Sequence, residues 1–295
     1  MLAPLVRFDG SRPESDGGEA FGVAAAGVPN TSTILERHGV RVALVGHALW
    51  EGDGAAQTPS AVAGRLVDAY LTEGERALRH LRGDFAVAVM QPREKRCLLA
   101  VDRIGIRNIV YEQAGDTLVF GSTCDAVQAH PAAQAVVDPQ AIFNYVYFHM
   151  VPGPGTVFRG QTRILPGHYV AFDGTTLRTA PYWEMAFEDH PEPRPFEDLK
   201  REFLGSLTDG VRALSLPEGC ASFLSGGTDS STISGLVGKV QAKAPQTYSI
   251  GFAAEGYDEM NYARIASRHF HTEHHEYYVT PDDVGLSNFF SVNRA

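Results

Sequence analysis

The first part of the chain alternates short apolar runs with turn residues. Five runs of about five to eight residues, rich in branched and aromatic side chains and bounded largely by Gly, Asp or Pro, occupy 41–46, 83–90, 96–102, 108–112 and 117–122. This pattern predicts β-strands. Between the first two runs, Val62, Leu66, Ala69 and Tyr70 recur at helical spacing. The pattern therefore predicts an α+β domain.

The pattern changes after a segment rich in proline and charge at 188–195, which is predicted to be a linker. Beyond it, apolar residues recur at intervals of three and four and predict one apolar face of a helix: Phe196, Leu199, Phe203, Leu207, Val211 and Leu214. Strand-like runs at 220–224, 247–252 and 275–279 then alternate with helical patterns at 231–243 and 257–270. This alternation predicts an α/β domain with a parallel sheet. We therefore expect domains at 1–187 and 196–295.

Composition and charge narrow the classes of function. The chain has 295 residues, of which 44% are hydrophobic, and this length suits two domains. A net charge of −10 argues against nucleic acid or an anionic membrane as a partner, because both attract basic surfaces. No apolar run approaches the roughly 20 residues that span a bilayer, and the N-terminus shows no signal peptide, so a cytoplasmic protein is expected.

The three cysteines, Cys97, Cys124 and Cys220, are far apart in sequence and odd in number. Neither a disulfide framework nor a paired-cysteine metal site is indicated, and we expect unreactive thiols.

The segment SFLSGGTDSSTIS, residues 222–234, carries the candidate chemistry. It follows a predicted parallel strand and leads into a helix, the position where α/β proteins bind ligands. Gly226 and Gly227 allow close backbone approach, and the first-turn amides of the next helix can face an anion. Asp229 would suit a phosphate ligand only through Mg²⁺. The loop lacks the lysine of a Walker motif, and an ordinary strand-to-helix turn with serine caps fits the same residues.

The motif SGGTDSS resembles the pyrophosphate loop of the ATP-pyrophosphatase superfamily, and its surroundings are similar to the glutamine-hydrolysing asparagine synthetases. The similarity extends to DRIGIRNIVY, YFHMVPGPGTVFRG, ILPGHYV, TYSIGF and YDEMNYARIASRHFHTEHHE, and it covers about residues 80–284. It implies a degenerate α+β N-terminal-nucleophile-type sandwich, followed by the first part of an α/β ATP-pyrophosphatase domain with a parallel sheet.

The resemblance implies that a substrate carboxylate attacks the α-phosphate of ATP-Mg²⁺, and that a nitrogen nucleophile then displaces AMP. Asp229 is the Mg²⁺ candidate. Leu224 and Ile250 fall on positions that line the adenine pocket. The pyrophosphate-loop positions are Ser225, Gly226, Gly227, Asp229, Ser230 and Ser231.

The same resemblance implies that glutaminase activity has been lost. Leu2 stands where the family has its nucleophilic cysteine, so the amide of glutamine has no attacking group. Val45 replaces the asparagine that binds the amide, and Ala61 replaces the carboxylate that binds the substrate amine. A β-lactam synthetase-like branch keeps this domain without the cysteine.

The family pattern ends after about Val284, so the substrate half of the site is expected to lie outside this sequence. We therefore predict an amide-forming, carboxylate-adenylating ligase that needs a second chain for its C-terminal half. The alternative is an inactive remnant or a regulatory nucleotide-binding subunit. The histidines at 269, 271, 274 and 275 could suggest zinc, but the family's helix-turn-strand pattern explains them without a metal.

Overall fold

A computed structural model describes residues 13–18, 21–27, 30–52, 57–187, 193–214, 220–252 and 259–280. Leu2 lies outside the described residues, as does most of the predicted linker at 188–195. The chain divides into two compact units, Met1–Phe187 and Glu188–Ala295. No helix among the described residues combines the length and apolarity that crossing a membrane requires.

The first unit is built mainly from antiparallel strands. Its strands are β1 (Glu14–Gly18), β2 (Phe21–Ala25), β3 (Ser32–Arg37), β4 (Val40–Trp50), β5 (Leu81–Gln91), β6 (Arg96–Val101), β7 (Val110–Ala114), β8 (Thr117–Gly121), β9 (Thr162–Arg163), β10 (His168–Phe172) and β11 (Leu177–Pro181). Its helices are α1 (Pro59–Glu73), α2 (Cys124–Gln128) and α3 (Pro139–Phe148), with short 3₁₀ turns at Gly74–His80 and Pro92–Glu94. The five predicted strands are confirmed as β4 to β8, and the predicted helix as α1.

This unit has three layers, and an apolar core lies on each face of the middle layer. A six-stranded sheet, in the order β11-β10-β6-β5-β4-β3, occupies the middle. Apolar side chains on one face, such as Leu44 and Phe85, pack with Leu66 of α1. Those on the other face, such as Leu99, pack towards Ile109 and the second sheet, of order β8-β7-β9. Alternating side chains of a single strand serve both faces, which explains why β4 to β6 are apolar almost throughout.

A buried carboxylate holds the turn after β6. The side chain of Asp102 is fully buried and accepts hydrogen bonds from the backbone amides of Ile104, Ile106 and Arg107 at 3.2, 3.0 and 2.8 Å. Three amides that a tight turn would leave without partners are therefore satisfied by one side chain.

The second unit contains a parallel sheet. Its elements are α4 (Phe196–Ala213), β12 (Ala221–Phe223), α5 (Thr228–Gln241), β13 (Gln246–Phe252), α6 (Met260–Phe270) and β14 (Glu273–Val279). The strands lie in the order β12-β13-β14 and all pairs are parallel. The alternation predicted from the sequence is thus confirmed, and the fold is mixed α/β with a parallel sheet.

The apolar face predicted for α4 is only partly buried. Val211 is 3% exposed and packs with Leu236 and Val237 of α5, whereas Phe196 and Phe203 are 73% and 63% exposed. The helix predicted from the spacing of these residues is confirmed. Among the described residues, only the C-terminal part of the face meets another apolar surface.

Candidate functional site

The candidate site lies at the carboxyl end of the parallel strands. Leu224 directly follows β12, and its backbone amide donates to the carbonyl oxygen of Tyr248 at 2.8 Å, so the first strand stays paired up to the loop. The loop then runs from Ser225 to Gly227 and enters α5 at Thr228. This is the strand-end position at which parallel α/β sheets bind their ligands.

Gly226 explains why the loop can lie against α6. Its φ of +83° is unfavourable for residues with a Cβ. A Cβ at this position would stand 2.4 Å from the backbone nitrogen of Ala263 and 2.4 Å from the carbonyl carbon of Tyr262. Both the torsion angle and the contact therefore require glycine, which explains the first glycine of the motif.

The hydroxyls of the loop form a small cluster. The Oγ atoms of Ser225 and Ser230 are 2.9 Å apart, and the amide of Gly227 donates to Ser225 Oγ at 3.3 Å. Gly227 is the N-cap residue of α5 and has no side chain to cap the helix. The amides at the start of the helix are thus left to a ligand or to water.

Ser231 provides a buried polar atom without a partner. Its Oγ is inaccessible to solvent and makes no hydrogen bond to any described residue. Asp229, two residues earlier in the first turn of α5, is exposed. A buried hydroxyl without a partner is unfavourable, so its presence beside the loop indicates a place where a polar ligand or a water molecule belongs.

A cavity of about 300 Å³ adjoins the loop. Ser225 belongs to both the loop and the cavity wall. Leu224 is 1% exposed and packs with Met260 and Ala263, whereas Ile250 is 53% exposed on the alternate side of β13. Leu224 and Ile250, both predicted to line the adenine pocket, also line this cavity. They can do so although they differ in burial, because the cavity lies at the end of the sheet, where side chains from both faces of the sheet are within reach.

Seven further lining residues were not predicted as site residues, among them Tyr248, Phe252 and Glu259. Tyr248 and Phe252 stand two positions before and after Ile250, so strict alternation along β13 could have identified them. Glu259 precedes α6, and no sequence signal distinguished it from other acidic residues at helix starts.

Within the histidine-rich segment, His274 makes contacts with the neighbouring strand β13. Thr247 Oγ1 lies 2.9 Å from His274 Nδ1 and 2.7 Å from Thr272 Oγ1. Arg264 binds both carboxylate oxygens of Glu276, at 2.7 and 2.6 Å, and this ion pair lowers the pKa of Glu276. These contacts join α6 to β13 and β14. Among the described residues, no group of three or more His, Cys, Asp or Glu is arranged to hold a metal ion.

In the first unit, Val45 and Ala61 have ordinary structural surroundings. Val45 lies in β4 and lines a second cavity. The amide of Ala61 donates to Thr58 Oγ1 at 3.3 Å, so the TPSA segment forms the N-cap of α1. Cys97 is also structural, since burial raises the pKa of its thiol to about 12.

In comparison with known proteins, each unit matches one protein family. A family described as a glutamine amidotransferase domain matches residues 53–183, and one described as asparagine synthase matches 206–286. The asparagine synthetase [glutamine-hydrolyzing] 3 of Bacillus subtilis is 29% identical over 235 residues, which cover 74% of this chain and 38% of that protein. Asparagine synthetase [glutamine-hydrolyzing] 1 of the same organism is 27% identical over 74% of this chain and 34% of its own length.

Other comparisons are more distant. The amidase chyE of Penicillium rubens is 27% identical over 58% of this chain and 26% of its own length. The solved structure of an allosteric regulatory enzyme of purine biosynthesis has a TM-score of 0.33 at 11% identity over 84% of this chain and 62% of its own, too low a score to establish a common fold. The chain thus spans about two fifths or less of the length of these curated relatives. The two family matches and the related synthetases support an asparagine synthetase-family protein.

Proposed function

We propose that the second unit binds ATP and contributes the nucleotide half of a carboxylate-adenylating, amide-forming ligase. The observation that carries this proposal is the loop at the end of β12, where Gly226 allows close backbone packing and the buried hydroxyl of Ser231 bonds to no described residue. The match to the asparagine synthase family over 206–286 supports the same assignment.

The residues of the loop fit a polyphosphate. The uncapped amides at the start of α5 and the hydroxyls of Ser225, Ser230 and Ser231 all supply hydrogen-bond donors, which phosphate oxygens accept. Asp229 would repel a phosphate directly, so we assign it to Mg²⁺, which carboxylate oxygens bind. The magnesium ion would neutralise phosphate charge during the reaction.

The adjoining cavity fits the base of the nucleotide. Ser225 is common to the loop and the cavity, so a ligand with phosphates on the loop would extend into it. Leu224 and Ile250 would contact the adenine ring, and the aromatic rings of Tyr248 and Phe252 add flat apolar surface beside it.

The proposed reaction joins a carboxylate to an amine. A carboxylate oxygen bonds to the α-phosphorus of ATP and pyrophosphate leaves; a nitrogen nucleophile then attacks the acyl carbon and AMP leaves. The family uses aspartate as its carboxylate, so aspartate is the first substrate to test. The replacements at Leu2, Val45 and Ala61 support a nitrogen source other than glutamine hydrolysis by the first unit.

One face of the parallel sheet supports the need for a further polypeptide. Phe223, Tyr248 and His275 are register neighbours across the three strands, and Phe223 is 77% exposed. Parallel sheets occur almost only with both faces covered. We therefore propose that the part of this face not assigned to the adenine ring, at Phe223 and Tyr277, packs against the part of the synthetase fold that the matched residues do not include.

Substitution of Ser231 tests nucleotide binding. Because Ser231 Oγ bonds to no described residue, Ser231→Ala should leave the free energy of unfolding almost unchanged. It should weaken Mg-ATP about tenfold, the usual effect of losing one hydrogen bond to a charged group. Thr232→Ala is the matched control, since Thr232 donates to the carbonyl of Thr228 within the helix. Titration calorimetry would measure both affinities, and equal affinities for ATP would remove Ser231 from the site.

Pyrophosphate exchange separates the enzyme from the alternative. Exchange of labelled pyrophosphate into ATP with aspartate present would support adenylation. ATP binding without exchange for any carboxylate would favour an inactive remnant or a regulatory subunit. Failure of the unsubstituted protein to bind ATP would overturn the proposed site.

A further inference from the structure

A cavity of about 600 Å³ lies in the first unit, apart from the nucleotide site. It lies on the face of the six-stranded sheet that is turned towards β7 and β8. Its wall is mainly apolar and includes Phe21, Val45, Ala86, Leu118 and Phe120. This volume falls in the range of small-molecule sites, which combine apolar walls with a few polar groups.

The polar side chains of the wall are Arg107, Asn108, Thr117, Ser122 and His130. Its ionisable members are Arg107 and His130, and no Asp or Glu is among its described lining residues. This is notable in a chain with a net charge of −10. The ionisable groups of the wall therefore favour a ligand whose polar part accepts hydrogen bonds.

One nitrogen of Arg107 holds the side chain in place, and its other nitrogens remain able to donate hydrogen bonds. Its Nε donates to Asp84 Oδ2 at 2.9 Å, and the other oxygen of Asp84 lies 3.2 Å from His47 Nδ1. Asp84 and His47 face each other across the β4–β5 pair. The terminal nitrogens of Arg107 have no partner among the described residues, and guanidinium groups only donate.

His130 presents a second donor. The amide of Ala132 donates to His130 Nδ1 at 3.2 Å, so this nitrogen is the acceptor and Nε2 carries the proton in the neutral ring. With Arg107, the cavity thus combines two nitrogen donors with an apolar wall. Val45, where the family resemblance places an amide-binding asparagine, now adds to the apolar part.

We propose that this cavity binds a small apolar carboxylate, with its hydrocarbon part against Phe21, Leu118 and Phe120 and its carboxylate on Arg107 and His130. The proposal does not depend on ATP binding, because every residue in it belongs to the first unit. It gives the domain that has lost its glutaminase residues a ligand of another class.

The experiment compares two probes of the same shape. 3-Phenylpropionate and 3-phenylpropan-1-ol would be titrated into the full chain and followed by calorimetry, with amide and methyl NMR shifts to locate the site. The acid should bind at least tenfold more tightly than the alcohol, because a charge-assisted bond to Arg107 requires the carboxylate. Shifts should concentrate at Ala86, Leu118 and Phe120.

Substitutions of Arg107 then test its contact with the carboxylate of the ligand. Arg107→Gln should weaken the acid about tenfold and leave the alcohol unchanged, while Arg107→Lys should restore part of the affinity. Arg96→Gln is the control, an exposed arginine outside this cavity. Thermal unfolding of each variant would verify the fold, and Arg107→Lys serves as the test if Arg107→Gln is unstable. The proposal is overturned if the acid does not bind, binds no better than the alcohol, or loses equal affinity in Arg96→Gln.

Discussion

Single residues account for the most specific features of this chain. Gly226 is required by its torsion angle and by the nearness of α6, and Asp102 alone satisfies three amides of a turn. The glycine was recognisable from the motif. The role of Asp102 was not, because a buried carboxylate bonded to backbone has no sequence signature that separates it from a surface aspartate.

Replacement of Asp102 should destabilise the first unit. Asp102→Ala leaves three amides without their acceptor, and a hydrogen bond to a charged group contributes about 1.5–3 kcal/mol. We expect a loss of about 3 kcal/mol or more in the free energy of unfolding, measured by urea denaturation. Asp102→Asn should lose less because it keeps one oxygen. Asp116→Ala, at an exposed turn, should change stability by less than about 0.5 kcal/mol. Equal effects of the two alanine variants would contradict this role.

His274 should make the second unit sensitive to acid. Burial lowers its pKa, although Glu276 opposes the shift; the nearby charged groups are Glu276 and His275 on β14 and Arg264 on α6. Since the folded pKa lies below the unfolded value of about 6.5, the unfolded state binds the proton more readily. Stability is therefore full above about pH 6.5 and falls as the pH drops, by at most about 1.4 kcal/mol per pH unit.

Denaturation between pH 5 and 7 would measure this slope. His274→Gln should flatten it, and His269→Gln, at an exposed position of α6, should not. An unchanged slope in His274→Gln would show that another group is responsible.

At the scale of elements, local sequence patterns predicted the type and order of the helices and strands better than they predicted which side chains are buried. The alternation of strands and helices in the second unit is confirmed, as are β4 to β8 and α1 in the first. The hairpin β1–β2 and the helix α3 were not predicted. Helix α3 exposes apolar side chains, including Phe143 and Tyr147. It therefore lacks the polar face that marks an amphipathic helix in a sequence.

The unequal burial of α4 can be measured with two substitutions. Val211→Ala removes buried methyl groups from the contact with α5 and should cost about 1–3 kcal/mol of unfolding free energy. Phe203→Ala removes a larger side chain that is mostly exposed and should cost less. Chemical denaturation of both variants would decide. A larger loss for Phe203→Ala would mean that its ring is covered in solution.

At the scale of the whole molecule, the two units differ in how their sheets are covered and in the cavities that they offer to a ligand. The first contains a sheet with a core on both faces and a cavity with basic polar groups. The second has the SGGTDSS loop at a strand end and a parallel sheet with an apolar face that the described residues leave open. The family assignment applies to both, while the proposed ligands are separate.

The sequence by itself determined the strands and helices with strong periodicity, the change of pattern near 188–195, and the SGGTDSS loop with its glycines. These depend on side chains within about a dozen neighbouring positions, so the order of residues carries the information. Tertiary structure decided which apolar faces are covered, that Gly226 packs on α6, and that Arg107, Asp84 and His47 meet beside a cavity. Those features depend on contacts between residues far apart in the chain, which no local pattern records.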